Sequence, residues 1–108
     1  MPKRILAAGT DTANSDSFSV FVGGAAGPQS PVTVLVGGME SGDADVCRLQ
    51  MMDDDGNWED VYEDGSLVTW SFEVAVARAI YGPGVYRVVR TGTTTGSVFV
   101  DISTPSKP

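Results

Sequence analysis

Hydrophobic and polar residues alternate in short runs along most of this chain. Phe18, Val20 and Val22 share one parity, with Ser19 and Phe21 between them, and Gly23-Gly24 stops the run. Val32, Val34 and Val36 repeat the pattern around Thr33 and Leu35 and end at Gly37-Gly38. Side chains on a strand alternate faces, so one parity of each run can enter a core. The shared Val-x-Val-Gly-Gly ending recurs after 14 residues, too short a period for a solenoid. A third run, Val46 to Met52, places Cys47, Leu49 and Met51 together. Trp58 to Tyr62 and Leu67 to Phe72 follow, the latter with Val68, Trp70 and Phe72 on one face. Val85 to Arg90 sets Tyr86, Val88 and Arg90 opposite Val85, Arg87 and Val89. Ser97 to Ile102 turns Val98, Val100 and Ile102 inward.

Turn chemistry separates these runs. Asp53 to Asn57, Glu63-Asp64-Gly65-Ser66, Tyr81-Gly82-Pro83-Gly84 and Thr91 to Gly96 are rich in residues that accept turn dihedrals. An Asp-Gly pair between two short runs reads as a hairpin. Glu73 to Ile80 mixes Val74, Val76 and Ile80 with Ala75, Ala77 and Ala79. It is short for a lone helix and lies between β runs, so it reads as a strand. The pattern predicts an all-β domain of about eight antiparallel strands. Its expected form is a two-sheet β-sandwich, jelly-roll or immunoglobulin-like, over residues 18–102. Residues 1–17 read as an extended N-terminal arm and 103–108 as a polar tail.

Composition narrows the chemistry. The 108 residues carry 14 acidic and 7 basic side chains, a formal charge of −7. Such a chain is a poor general binder of nucleic acid or of anionic membrane. It has no histidine, the commonest general base and metal ligand. Cys47 is the single cysteine, so neither an intrachain disulfide nor a cysteine zinc cluster can form. The apolar stretch Ile5 to Ala8 is shorter than the ~7–15 residues of a secretory leader. The expected place of synthesis is a reducing cytoplasm.

The densest feature is acidic: Asp53, Asp54, Asp55, Glu59, Asp60, Glu63 and Asp64. Asp53, Asp55 and Asn57 alternate as calcium ligands do, but the EF-hand spacing fails, since Trp58 stands at the sixth position counted from Asp53. Two solvated turns are the better reading, with no metal. A carboxylate pair for glycoside hydrolysis needs two acids facing across a cleft, which adjacent turns do not provide. Cys47 has no histidine to activate it and reads as a small core residue. Gly23 to Gly27 lacks the lysine and following helix of a phosphate loop. Trp58, Tyr62, Trp70, Phe72, Tyr81 and Tyr86 fit a packed core and rim better than a sugar platform. Arg78, Arg87 and Arg90 are too separated for a nucleic-acid track and are expected to pair with the acidic turns or with a partner. The reading is therefore of a non-enzyme without cofactor.

The stretch Pro31 to Ile102 resembles small virion proteins of tailed bacteriophages. The resemblance lies in Pro31-Val32-Thr33-Val34, Gly56-Asn57-Trp58-Glu59-Asp60-Val61, Tyr81-Gly82-Pro83-Gly84-Val85-Tyr86-Arg87-Val88 and the Thr91–Gly96 turn before Ser97-Val98-Phe99-Val100. It implies a capsid decoration (cement) protein on the virion exterior, synthesised in the host cytoplasm. The implied partners are the major capsid protein and further copies of the chain, as dimer or trimer. A tail- or fibre-associated module that recognises a host-surface glycan or protein is the alternative. Lys3, Arg4, Ile5 and Leu6 are the expected partner-binding residues, an apolar anchor with a charged rim. A module of this kind needs several weak contacts rather than a reactive centre.

Overall fold

The computed structural model describes residues 3–20, 32–43, 45–72, 77–91 and 96–103. These hold twelve strands: β1 (Lys3–Gly9), β2 (Ala13–Asn14), β3 (Phe18–Val20), β4 (Val32–Gly37), β5 (Cys47–Met52), β6 (Trp58–Asp60), β7 (Tyr62–Glu63), β8 (Ser66–Leu67), β9 (Thr69–Trp70), β10 (Ala77–Ile80), β11 (Gly84–Arg90) and β12 (Val98–Ser103). No helix occurs among the described residues, and all pairings are antiparallel. The expected all-β, antiparallel architecture is present.

One sheet runs β1-β12-β4-β10. The second is built on the long β11–β5 pair, and both of its edges are broken strands. On the β11 side, β3 pairs with Gly84–Tyr86 and β2 with Val89–Arg90. On the β5 side, β6 pairs with Gln50–Met52 and β9 with Cys47–Arg48. The two breaks fall at the directly paired residues Val88 and Leu49. Ser15 fills the first. Its N–H donates to Val88 O at 2.8 Å, and its Oγ accepts the Val88 N–H at 2.9 Å. At the second, Leu49 donates to Val68 O and accepts from the Val61 N–H. The main chain stays satisfied across each gap, as buried amides require. Between Val61 and Val68 the chain leaves the sheet as the β7–β8 hairpin. Asp64 and Gly65 both take positive φ (53° and 82°), the two-residue turn that Asp-Gly favours.

The two sheets pack together around one apolar cluster. Val34, Val36, Val98 and Val100 come from the first sheet; Val20, Cys47, Leu49, Trp70 and Val88 come from the second. Phe18 stacks on Tyr86 with centroids 5.8 Å apart. Each fully buried Val or Leu contributes about 1.5–3 kcal/mol against exposure.

Three expectations change. Residues 1–17 do not form a free arm over their described part: β1 is an edge strand paired with β12, β2 joins the other sheet, and Ile5 is 5% exposed within the core. The β1 register shifts twice, between Arg4 and Leu6 and again before Gly9, and this obscures the alternation of a regular strand. The number of strands exceeds eight, because the Trp58–Tyr62 and Leu67–Phe72 runs are each interrupted and the N-terminal segment adds two more. Phe72 does not share the buried face of Val68 and Trp70: the chain turns there, the Phe72 N–H bonds Asp43 O, and the ring is partly exposed. The strand expected over Glu73–Ile80 is present as Ala77–Ile80; residues 73–76, Phe21 to Gly27 and the tail beyond Ser103 lie outside the described residues.

Candidate functional site

Two arginines cross between the sheets, one at each lateral seam. Arg90, on β11, is 5% exposed. Its Nε donates to Asp11 O at 2.6 Å, and its Nη1 donates to Ala7 O and Val98 O at 2.9 and 2.8 Å. The Asp16 N–H adds a bond to Ile5 O on the same side. This seam is sealed by a buried guanidinium that serves three backbone carbonyls, a use suited to its fixed fork of donors. The expected pairing of Arg90 with an acidic turn is therefore not what the structure holds.

Arg78, on β10, crosses the opposite seam. Its Nε donates to Thr69 O at 2.9 Å, and its Cζ lies 5.9 Å from the centre of the Trp70 ring. Here the sheets do not close. A cavity of about 260 Å³ lies between β10 and the Val61–Val68 excursion, lined by Leu49, Val61, Glu63, Val68, Arg78, Ala79, Ile80, Tyr81, Gly82 and Tyr86. The Tyr86 hydroxyl is tied to Gly82 O at 2.7 Å, and burial pushes its pKa up. Tyr81 is 59% exposed at the rim.

The outer faces of the two sheets differ. On the second sheet, Arg87, Gln50 and Asp60 form a cross-strand row in register. Arg87 Nε donates to Gln50 Oε1, Gln50 Nε2 to Asp60 Oδ1 and Arg48 Nε to the same oxygen, all at 2.9–3.0 Å. The Gln50 amide, then Arg48, holds the Asp60 carboxyl below its usual range. Arg87 also covers the Trp58 ring at 4.5 Å. On the first sheet, Arg4 and Asp101 pair in register at 2.5 Å, with Arg4 stacked 3.9 Å over Phe99. Beside them the face turns small and apolar. A pit of about 200 Å³ is lined by Thr33, Leu35, Ala77, Asp101, Ile102 and Ser103.

The expected partner residues separate. Lys3 and Arg4 are exposed, Leu6 is half-buried and packs on the core, and Ile5 is inside it. Ile5 therefore anchors this chain's own fold. The acidic loop is organised from within. The Asp53 carboxylate accepts the Asp55 and Asn57 N–H groups at 2.9 Å each, and these bonds, Asn57 foremost, hold it below the usual carboxylate range. Cys47 is fully buried, and desolvation pushes its thiol up to about 12. The six aromatics do not make one platform: Trp70 and Tyr86 are core, Trp58 lies under Arg87, and Tyr62 and Tyr81 are exposed. The seam cavity was not visible in sequence, because its walls come from segments that meet only in the folded chain. No protein-family model, curated protein or solved structure matches this chain.

Proposed function

We propose that this chain is a structural virion protein, a capsid decoration (cement) protein that docks on the outer capsid surface as a homo-oligomer. In this reading the two packed sheets form a β-sandwich of jelly-roll or immunoglobulin-like type, which serves as a rigid spacer. The observation that carries the reading is the outer face of the β1-β12-β4-β10 sheet. A solvated sheet face ordinarily alternates to polar and charged residues. Here Thr33, Leu35, Ala77 and Ala79 project together, and the charges beside them, Arg4 and Asp101, neutralise one another. A face whose one ion pair is internally neutralised, on a chain of charge −7, is the part best able to approach another protein at a low desolvation cost. The resemblance of residues 31–102 to phage virion proteins points to the shell as that protein. The polar row on the opposite sheet would then face solvent.

Co-sedimentation with capsids of the encoding phage tests the proposal. The wild-type chain is expected to bind stoichiometrically and to raise the temperature at which the shell opens. Leu35→Asp, which places an unpaired charge in the pit, is expected to abolish binding while leaving the far-ultraviolet spectrum unchanged. No particle binding by the wild type, or full binding by folded Leu35→Asp, would overturn it.

A further inference from the structure

The seam cavity combines features that the docking role leaves unused, and its chemistry stands whether or not the chain decorates a shell. We infer that it is a binding site for a single neutral pyranose unit. Arg78 bonds the protein through its Nε and lies over the Trp70 ring, and among the described residues its Nη atoms make no hydrogen bond. Glu63, beside the Asp64-Gly65 turn of the β7–β8 hairpin, lines the same cavity and among the described residues makes neither a salt bridge with Arg78 nor any other side-chain bond. Donors and acceptors thus stand in one cavity without neutralising each other.

Their signs select the ligand class. An anion that reached Arg78 would also face the Glu63 carboxylate, and a cation would face Arg78. A neutral polyhydroxylated ring satisfies both, accepting from the guanidinium through one hydroxyl and donating to the carboxylate through another. Leu49, Val61 and Ile80 supply an apolar floor, and the Tyr81 ring at the rim supplies a face against which the C–H side of a sugar can stack. The volume, about 260 Å³, lies just below the ~300 Å³ at which sites for drug-sized ligands begin. That is room for one ring and not for a chain.

Amide chemical-shift mapping of the full chain against methyl glycosides (glucoside, galactoside, mannoside and N-acetylglucosaminide) tests the site. At least one is expected to shift the amides of residues 61–68 and 78–82 with millimolar affinity. Tyr81→Ala, at an exposed position that leaves the core intact, should weaken that binding about tenfold. Glu63→Ala should weaken it as well, and both variants should keep the wild-type spectrum elsewhere. Acetate and methylammonium serve as charged controls and should leave the site unmoved. Three results would each overturn the assignment: no response to any glycoside, a response unchanged in folded Tyr81→Ala, or a stronger response to either ion.

Discussion

Phe99 lies flat across Gly37, its cross-strand partner, so closely that a β-carbon on residue 37 would overlap the ring. The glycine makes room for the aromatic, and the aromatic covers the gap that glycine leaves in the sheet. Arg4 stacks on the same ring. Gly37→Ala must push Phe99 off the sheet and is expected to cost about 1–3 kcal/mol in urea unfolding. In a Phe99→Ala background the same change should cost much less, since the clash is gone. Additive effects of the two substitutions would contradict this coupling.

Arg90 should be among the least replaceable residues. Arg90→Met keeps an apolar stem but strips the donor from the carbonyls of Ala7, Asp11 and Val98. Val98 O is the buried acceptor of the three, and left unpaired it costs ~1–3 kcal/mol, so a total loss of about 2 kcal/mol is expected. Arg90→Lys should recover only part of it, because an ammonium cannot reproduce the fork. Hydrogen exchange supplies a second readout: the β1 amides should lose protection before those of the β11–β5 pair. A loss below about 1 kcal/mol in Arg90→Met would refute the role of a seal.

Much of the core was readable from parity alone. Val32, Val34 and Val36 are buried around Thr33 and Leu35, and Val98 and Val100 likewise, as strict alternation demands. The Asp64-Gly65 hairpin follows from turn chemistry. Parity grouped Arg90 with Tyr86 and Val88 but did not say which face turns inward, and an arginine there reads as a surface charge until its carbonyl partners are known. Those partners lie at Ala7 and Asp11, 83 and 79 residues away. The N-terminal strand was hidden for a similar reason. Bulges break its period, and among the described residues its one sheet partner is β12, near the other end of the chain. The cavity depends on Glu63, Arg78 and Tyr81 meeting across a seam, and local pattern carries no record of that meeting.

Asp53 gives the fold an acid-sensitive turn. Its folded pKa is depressed, so its contribution is complete above the unfolded value near ~3.9 and is lost as pH falls through the lower folded value. Asp53→Asn retains an Oδ1 that can accept the Asp55 and Asn57 N–H groups, but it cannot titrate. It should melt near the wild type at neutral pH and lose less stability below pH ~4. Asp53→Ala, without an acceptor, should be less stable throughout. Parallel pH–melting curves for wild type and Asp53→Asn would refute the assignment.

Cys47 makes the opposite contribution, at alkaline pH. Burial raises its thiol from 9.0 to about 12, against a smaller opposing pull from Arg90. A raised pKa means that the folded state holds the proton more tightly. The stabilisation is therefore present below pH 9.0 and is lost as pH climbs toward 12. Cys47→Ala removes this group and trims the core, costing about 1 kcal/mol at neutral pH. The gap between wild type and variant should narrow steadily above pH 9.0, where the unfolded wild type gains by ionising. In the native protein at pH 8, Ellman's reagent should label Cys47 only as fast as the chain opens, and urea should accelerate labelling in step with unfolding. Rapid labelling of the folded protein, or a stability gap that holds constant through the alkaline range, would show that the thiol is not sealed in the core.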